Sequence, residues 1–235
     1  MSETSGYVDP AGEAPWAMQI VVRLEKGREP SHTAVCEAAA MATVRLLADA
    51  RAAFGGEWST AVERWQSGRI RKLVRRARGP AWEKAQAYPG VTVLHRGAEA
   101  RAFLPGPTDA VVPDLARLQV QGLDLEDPDR VEEATGGGVI VSITPEPKLS
   151  TGKAAAAAGH AAQLAWLKLS AEDRERWSST GFEVRVEHPR AAEFQELVKS
   201  APVAVIDAGF TEISPGTATS TARWSQGLLT FSHQA

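Results

Sequence analysis

The feature that most constrains this chain is that it repeats itself. Met18–Leu47 lies over Gly138–Leu167 without a gap at an offset of 120, which sets Gln19-Ile20-Val21-Val22 on Val139-Ile140-Val141-Ser142 and the alanine-rich run from Ala34 to Leu47 on Ala154 to Leu167. A second block fits at an offset of 112: Trp65 falls on Trp177, Ile70-Lys72-Val74 on Phe182-Val184-Val186, Trp82 on Phe194, and Val91-Thr92-Val93-Leu94 on Val203-Ala204-Val205-Ile206. Extra residues around Phe54 to Thr60 account for the change. Further on, Pro105-Gly106 parallels Pro215-Gly216, and Gln121-Gly122-Leu123 parallels Gln226-Gly227-Leu228. A repeat of this length means two copies of one small domain. The expected division is a flexible tail over 1–14, a first copy over 15–123, an acidic and then glycine-rich joint over 124–138, and a second copy over 139–235.

Within each copy, short apolar runs rich in Val and Ile alternate with helical stretches. In the second copy the expected strands lie near Val139–Ile143, Phe182–Val186, Val203–Ile206 and Thr221–Ser225, and the expected helices near Gly152–Lys168 and Arg190–Lys199. Strands alternating with helices predict an α/β fold of two tandem domains, each a mixed sheet of roughly four strands with helices on both faces. Such a pair would form a pseudo-dimer within one chain, so a monomer suffices.

The chemistry concentrates in the second copy. Ser150 and Thr151 are good helix caps, Gly152 permits a tight turn, and the alanines from Ala154 to Ala158 are the strongest helix formers available. Seven residues separate Lys153 from His160, within about 20° of two full turns, so amine and imidazole share one stripe of the helix. Downstream, the apolar run Val203-Ala204-Val205-Ile206 ends in Asp207, at the carboxyl end of a strand where open α/β sheets place their ligand crevice.

These two stretches together resemble the type II peptidyl-tRNA hydrolase family, on Lys148, Ser150, Gly152, Lys153 and His160 at the helix start and on Asp207, Ala208, Gly209, Thr211, Ile213, Pro215 and Gly216 in the later segment. The resemblance runs from about Val139 to Trp224. It implies a hydrolase that cleaves the ester between a peptide and the 3′ end of tRNA, without a cofactor or metal; the cytoplasmic location expected for it comes from the lone cysteine, the polar N-terminus and the lack of a membrane span. Lys153, His160, Asp207 and Thr211 would be its catalytic residues, and Lys148, Ser150, Gly152, Gly209 and Gly216 would bind substrate. Two departures stand out. Ala157 occupies the place where the family usually has Gln, and Phe210 a place that is often basic, so rate or tRNA grip is expected to differ. The alternatives are a non-catalytic module that binds tRNA or protein on the same fold, and a hydrolase of another acyl ester or amide.

In the first copy the same offsets put Thr33 at Lys153, Ala40 at His160, His32 at Gly152 and His95 at Asp207, so this half is expected to be a scaffold. It carries Arg69-Ile70-Arg71-Lys72-Leu73-Val74-Arg75-Arg76-Ala77-Arg78, six cations in ten residues. Read as a strand, Arg69, Arg71 and Arg75 project from one face as a phosphate-binding stripe for the tRNA backbone. A formal net charge of −3 requires any such basic surface to be local.

The remaining composition excludes several classes. A single cysteine, Cys36, rules out an internal disulfide and reads as a small buried apolar group. No apolar run approaches a membrane span, and the first 14 residues lack the apolar centre of a secretion signal. Metal-ligand spacings, a phosphate-binding loop and a nucleophile elbow are all missing from the sequence. The seven Trp are scattered singly and fit core packing better than a ligand cage.

Overall fold

A computed structural model describes residues 13–128, 138–207 and 214–224. The first copy contains strands β1 (Trp16–Arg23), β2 (Arg71–Ala77), β3 (Gly90–His95), β4 (Ala98–Phe103) and the short β5 (Gly106–Pro107). Its helices are α1 (His32–Ala48), α2 (Ser59–Gln66), α3 (Pro80–Ala85) and α4 (Pro113–Ala116). The second copy contains β6 (Val139–Ile143), α5 (Thr151–Lys168), α6 (Ala171–Ser179), β7 (Val184–Glu187), α7 (Ala191–Ser200), β8 (Val203–Ile206) and β9 (Ala218–Trp224).

The two sheets share one topology. Strand order is β2-β1-β4-β3 in the first, with β5 also pairing β1, and β7-β6-β9-β8 in the second. β1 runs parallel to β2 and antiparallel to β4, as β6 runs parallel to β7 and antiparallel to β9. The protein is therefore α/β, two small mixed sheets in tandem. Helices α2 and α6 are absent from the sequence-based expectation; Trp177 is the one buried residue of α6, which leaves no apolar stripe to read, whereas the short α2 buries Ser59, Val62 and Trp65.

The pairing corrects the gapless alignment. Ile20 lies opposite Val74 and Ala102, and Val141 lies opposite Val186 and Ala222, while Ala102 and Ala222 face Val91 and Val203. Ile20, not Val21, is thus the counterpart of Val141. Val21 points to the other face of its sheet, into a separate small core with Ala77, Trp82, Ala85, Phe103 and Leu115. The helix starts are displaced in the opposite sense. Ser31 caps α1 by accepting from Ala34 N, and Ser150 caps α5 by accepting from Lys153 N, so Ala34 is the counterpart of Lys153 and Thr33 that of Gly152. The reason is a longer strand-to-helix loop in the first copy, invisible in an alignment dominated by interchangeable alanines. The parallel between Pro105-Gly106 and Pro215-Gly216 also fails, since the first pair follows β4 whereas the second precedes β9.

The two copies meet along α1 and α5, which pack side by side and run in the same direction. Thr151 Oγ1 lies 2.9 Å from His32 Nδ1 at their N-terminal ends, and further along Gly159 lies against Thr43. Small side chains allow this approach. A Cβ on Gly159 would stand 2.9 Å from Thr43 Oγ1 and 3.2 Å from Lys72 Cδ. The result is one apolar core shared by both copies, in which Ile20, Val22 and Val74 of the first join Val141, Val186 and Val205 of the second. Buried apolar surface of this kind contributes about 25 cal/mol per Å² to stability, so the seam is part of the fold.

The joint is packed where it is described. Leu123 O accepts from Gly152 N at 3.3 Å, Leu125 N donates to Thr151 Oγ1 at 2.8 Å, and Glu126 O accepts from His32 N at 3.3 Å. Asp127 Oδ1 then takes Thr33 N at 2.8 Å. This segment crosses the N-termini of both long helices and satisfies donors that a helix start leaves open.

Candidate functional site

β6, β7 and β8 all point the same way, because β6 and β7 are parallel and β9 is antiparallel to both β6 and β8. Their carboxyl ends therefore share one edge of the sheet with the N-terminus of α5. Asp207 leaves β8 at that edge, where its N–H donates to Thr217 O and its carbonyl accepts from Gly216 N, both at 2.9 Å. Gly216 has φ +84, a left-handed conformation that only glycine adopts without strain. Lys153 sits in the first turn of α5, half-buried, with its backbone N–H on Ser150 Oγ at 3.4 Å. Thr211 and Gly209 lie outside the described residues.

His160 follows two turns along the same stripe, about 10 Å from Lys153 along the axis. It is largely enclosed. Burial, and secondarily the neighbouring Lys72, push its pKa down to about 3, so the imidazole is neutral at physiological pH. Lys72 comes from β2 of the first copy. Its Nζ donates to Gln163 Oε1 at 2.5 Å and stands 4.9 Å from the centre of the Trp65 ring, while its methylenes cover Gly159. Burial also holds the Lys72 amine well below the usual lysine range.

The other substrate-binding candidates separate into two groups. Gly152 faces Leu123 and the carbonyl of Val120, so the first copy lies directly over the start of α5. Lys148 is exposed and lines a cleft of about 320 Å³ together with His32, Asp127, Leu149 and His188. That cleft lies toward α1 and β7, whereas β8 and Asp207 are at the opposite margin of the second sheet.

The basic run departs from a simple stripe. β2 begins at Arg71, so Arg69 precedes the strand. Arg75 is bound within the protein: its Nε donates to Gln19 Oε1 and its Nη1 to Leu118 O, both at 2.8 Å. Burial lowers its pKa from the ordinary arginine value. Arg76 bonds Gln119 through both backbone and side chain, so residues around Leu118 and Gln119 cover the outer edge of β2. The alternation that put arginines on one face turned Ile70, Lys72 and Val74 toward the core. A lysine between two apolar residues at period two was the signal for Lys72.

The first copy has polar chemistry of its own at the matching edge. Glu37 is fully buried on α1, with Oε1 accepting from Val186 N at 3.0 Å and Oε2 lying 3.0 Å from His95 Nε2 and 3.3 Å from Arg96 Nη1. His95 occupies the place of Asp207. Nearby, Thr33 Oγ1 donates to Asp127 Oδ2 at 2.7 Å and lies 2.9 Å from His188 Nε2. Burial would raise the Asp127 carboxyl, but the two Thr33 donors together with the nearby His32 and His188 make the net shift downward. The first copy thus carries a buried, hydrogen-bonded polar network at this edge.

Cys36 is completely enclosed and its thiol is raised by burial, as a small core residue should be. Among the described residues no cluster of three or more metal-ligating side chains is present, and no helix is long and apolar enough to cross a membrane. No protein-family model matches the chain, and no curated protein or solved structure matches it either.

Proposed function

We propose that the second copy hydrolyses the ester joining a peptide, or another N-blocked aminoacyl group, to the 3′ end of tRNA. The observation that supports this reading is that Lys153, in the first turn of α5, and Asp207, directly after β8, both lie toward the carboxyl ends of the parallel-running strands of the second sheet. The motif resemblance on Lys148 to His160 and Asp207 to Gly216 supplies the substrate class.

Ester hydrolysis needs an activated water, stabilisation of the tetrahedral oxyanion and a proton for the leaving ribose oxygen. Lys153, beside a helix N-terminus that already favours negative charge, offers a cation to the oxyanion or to the terminal phosphate. Asp207 orients or deprotonates the water, and the Thr211 hydroxyl hydrogen-bonds water or substrate. The neutral His160 lies deeper on the stripe, where it holds geometry instead of carrying charge. Ser150 and Gly216 lie beside Lys153 and Asp207 and would form the small surround for the 3′ end, with Lys148 apart from them in the cleft near His188, while Arg69 and Arg71 are the cations of the basic run left for a phosphate contact, since Arg75 is bound to Gln19 and Leu118.

A second reading keeps tRNA as partner but drops catalysis, and Ala157 favours it, since a methyl stands where the resembled family carries an amide. The deciding experiment compares release of free tRNA from N-acetylaminoacyl-tRNA and from the unblocked aminoacyl-tRNA. Turnover of the blocked form alone supports the peptidyl-tRNA reading; binding of both without turnover supports the module.

A further inference from the structure

The seam between the copies is pseudo-symmetric, yet one side of it is filled and the other is open. Each long helix packs against the outer strand of the other copy's sheet, α5 on β2 and α1 on β7. Between the start of α5 and the end of β2 the chain closes over itself: Arg76 bonds Gln119, and Gly152 faces Val120 O and Leu123 Cβ. Register equates Arg76 with His188, since Ile20 faces Val74 as Val141 faces Val186, each two residues earlier. The matching place, between the start of α1 and the end of β7, is the cleft of about 320 Å³. Leu125, Ile143 and Leu149 give it apolar walls. A cleft between domains with apolar walls and a few convergent polar groups is the usual form of a small-molecule site.

Hydrogen bonds behind the cleft fix what its polar groups offer. Thr151 is fully buried and its Oγ1 already accepts from Leu125 N, so its own proton goes to the remaining partner, His32 Nδ1 at 2.9 Å. The His32 ring therefore carries its proton on Nε2. Thr33 Oγ1 donates to Asp127 Oδ2, so toward His188 Nε2 at 2.9 Å it accepts. This leaves His188 Nδ1 as a lone pair in the neutral ring, the form that burial favours for both histidines. Lys148, also on the cleft, is exposed and makes no hydrogen bond or ion pair among the described residues. Asp127 has both carboxylate oxygens on Thr33. The cleft thus presents an ammonium, an imidazole donor and an imidazole acceptor, with the two rings 5.3 Å apart and drawn from different copies.

We propose that this cleft binds a small organic acid with one carboxylate and a hydrogen-bond donor next to it, a 2-hydroxy acid or an N-acyl amino acid, its carboxylate on Lys148 and His32 Nε2–H and its donor on His188 Nδ1. Thr33 and Asp127 hold the His188 ring with that lone pair available, and the apolar walls take the side chain of the acid. Glu126 on the cleft and Asp124 near His32 oppose a second negative charge, which favours a monoanion. The site goes beyond the ester hydrolysis proposed above. It lies apart from Asp207 and stands or falls separately.

The test titrates the full chain with 2-hydroxy-4-methylpentanoate, N-acetylleucine, 4-methylpentanoate and inorganic phosphate, and follows the imidazole signals of His32 and His188 by two-dimensional NMR. The acids that carry a donor should shift both signals saturably. Loss of the donor in 4-methylpentanoate should weaken binding about fivefold, the scale of one hydrogen bond, and the tighter of the other two acids identifies hydroxyl or amide as that donor. Lys148→Gln, at an exposed side chain, should weaken the tighter acid about tenfold. Lys199→Gln, which removes the same charge from α7, should leave it unchanged. Equal binding of 4-methylpentanoate, unchanged binding in Lys148→Gln, or the absence of saturable shifts at the two histidines overturns the proposal. Inorganic phosphate binding more tightly than either donor-bearing acid overturns it as well.

Discussion

Glu37 of the first copy accepts a hydrogen bond from Val186 N of the second at 3.0 Å, so a fully buried carboxylate caps an edge-strand donor across the seam. With His95 and Arg96 on its other oxygen, it is satisfied on both sides. Glu37→Ala strands the N–H of Val186, the His95 ring and the Arg96 guanidinium, and should cost about 3 kcal/mol, in the range for breaking a buried pair. Glu37→Gln retains an acceptor for Val186 and should cost clearly less. Urea unfolding midpoints at constant slope measure both.

Gly159→Ala forces a methyl to within 3 Å of Thr43 Oγ1 and close to Lys72. Overpacking of this kind typically costs about 1–3 kcal/mol. Thr43→Ala in the same chain should recover part of the loss by opening space, and full additivity of the two changes would argue against a direct clash.

The pH dependence follows from histidines held below their ordinary pKa. His160 is depressed to about 3, and His32 and His188 are also lowered, each chiefly by burial. The unfolded chain binds protons near pH 6.5 that the folded chain refuses, so stability falls as pH drops from about 6.5 toward 3. The neutral form is the favoured one in the fold, and its contribution is intact above that window. His160 alone accounts for on the order of a few kcal/mol of this slope. Thermal unfolding of His160→Leu between pH 4 and 7 should show a flatter profile than wild type.

At the proposed hydrolytic site, Lys153→Ala and Asp207→Ala should each lower turnover of blocked aminoacyl-tRNA by about 10²-fold or more, the usual scale for a positioned catalytic group. Ala34→Ser, at the first-copy counterpart of Lys153, should leave it nearly unchanged. Equal losses at both positions would mean that the halves share the chemistry.

If Arg69 and Arg71 contact phosphates, removing one should reduce the log–log salt slope of tRNA binding by roughly 0.7–0.9. Arg75→Ala carries a separate effect. It frees Gln19 and the carbonyl of Leu118, so its loss should also lower the unfolding midpoint, which Arg71→Ala run alongside it distinguishes.

The sequence by itself determined the duplication, the α/β class and most elements. β6 and β8 fall on Val139–Ile143 and Val203–Ile206 as expected, because apolar runs of that length bounded by turns have few alternatives. It also determined that Lys153 and His160 share a stripe, a consequence of helical periodicity. Tertiary structure alone decided three things. Strand register separated Ile20 from Val21, since a one-residue slip reverses which face is buried and alanine-rich helices cannot report it. The approach of α1 and α5 placed Lys72 beside Gln163 and Glu37 beneath Val186, contacts between residues 91 and 149 positions apart. The cover over β2 turned Arg75 inward. In each case the deciding quantity is what lies across the seam, and local sequence carries no record of its neighbour in space.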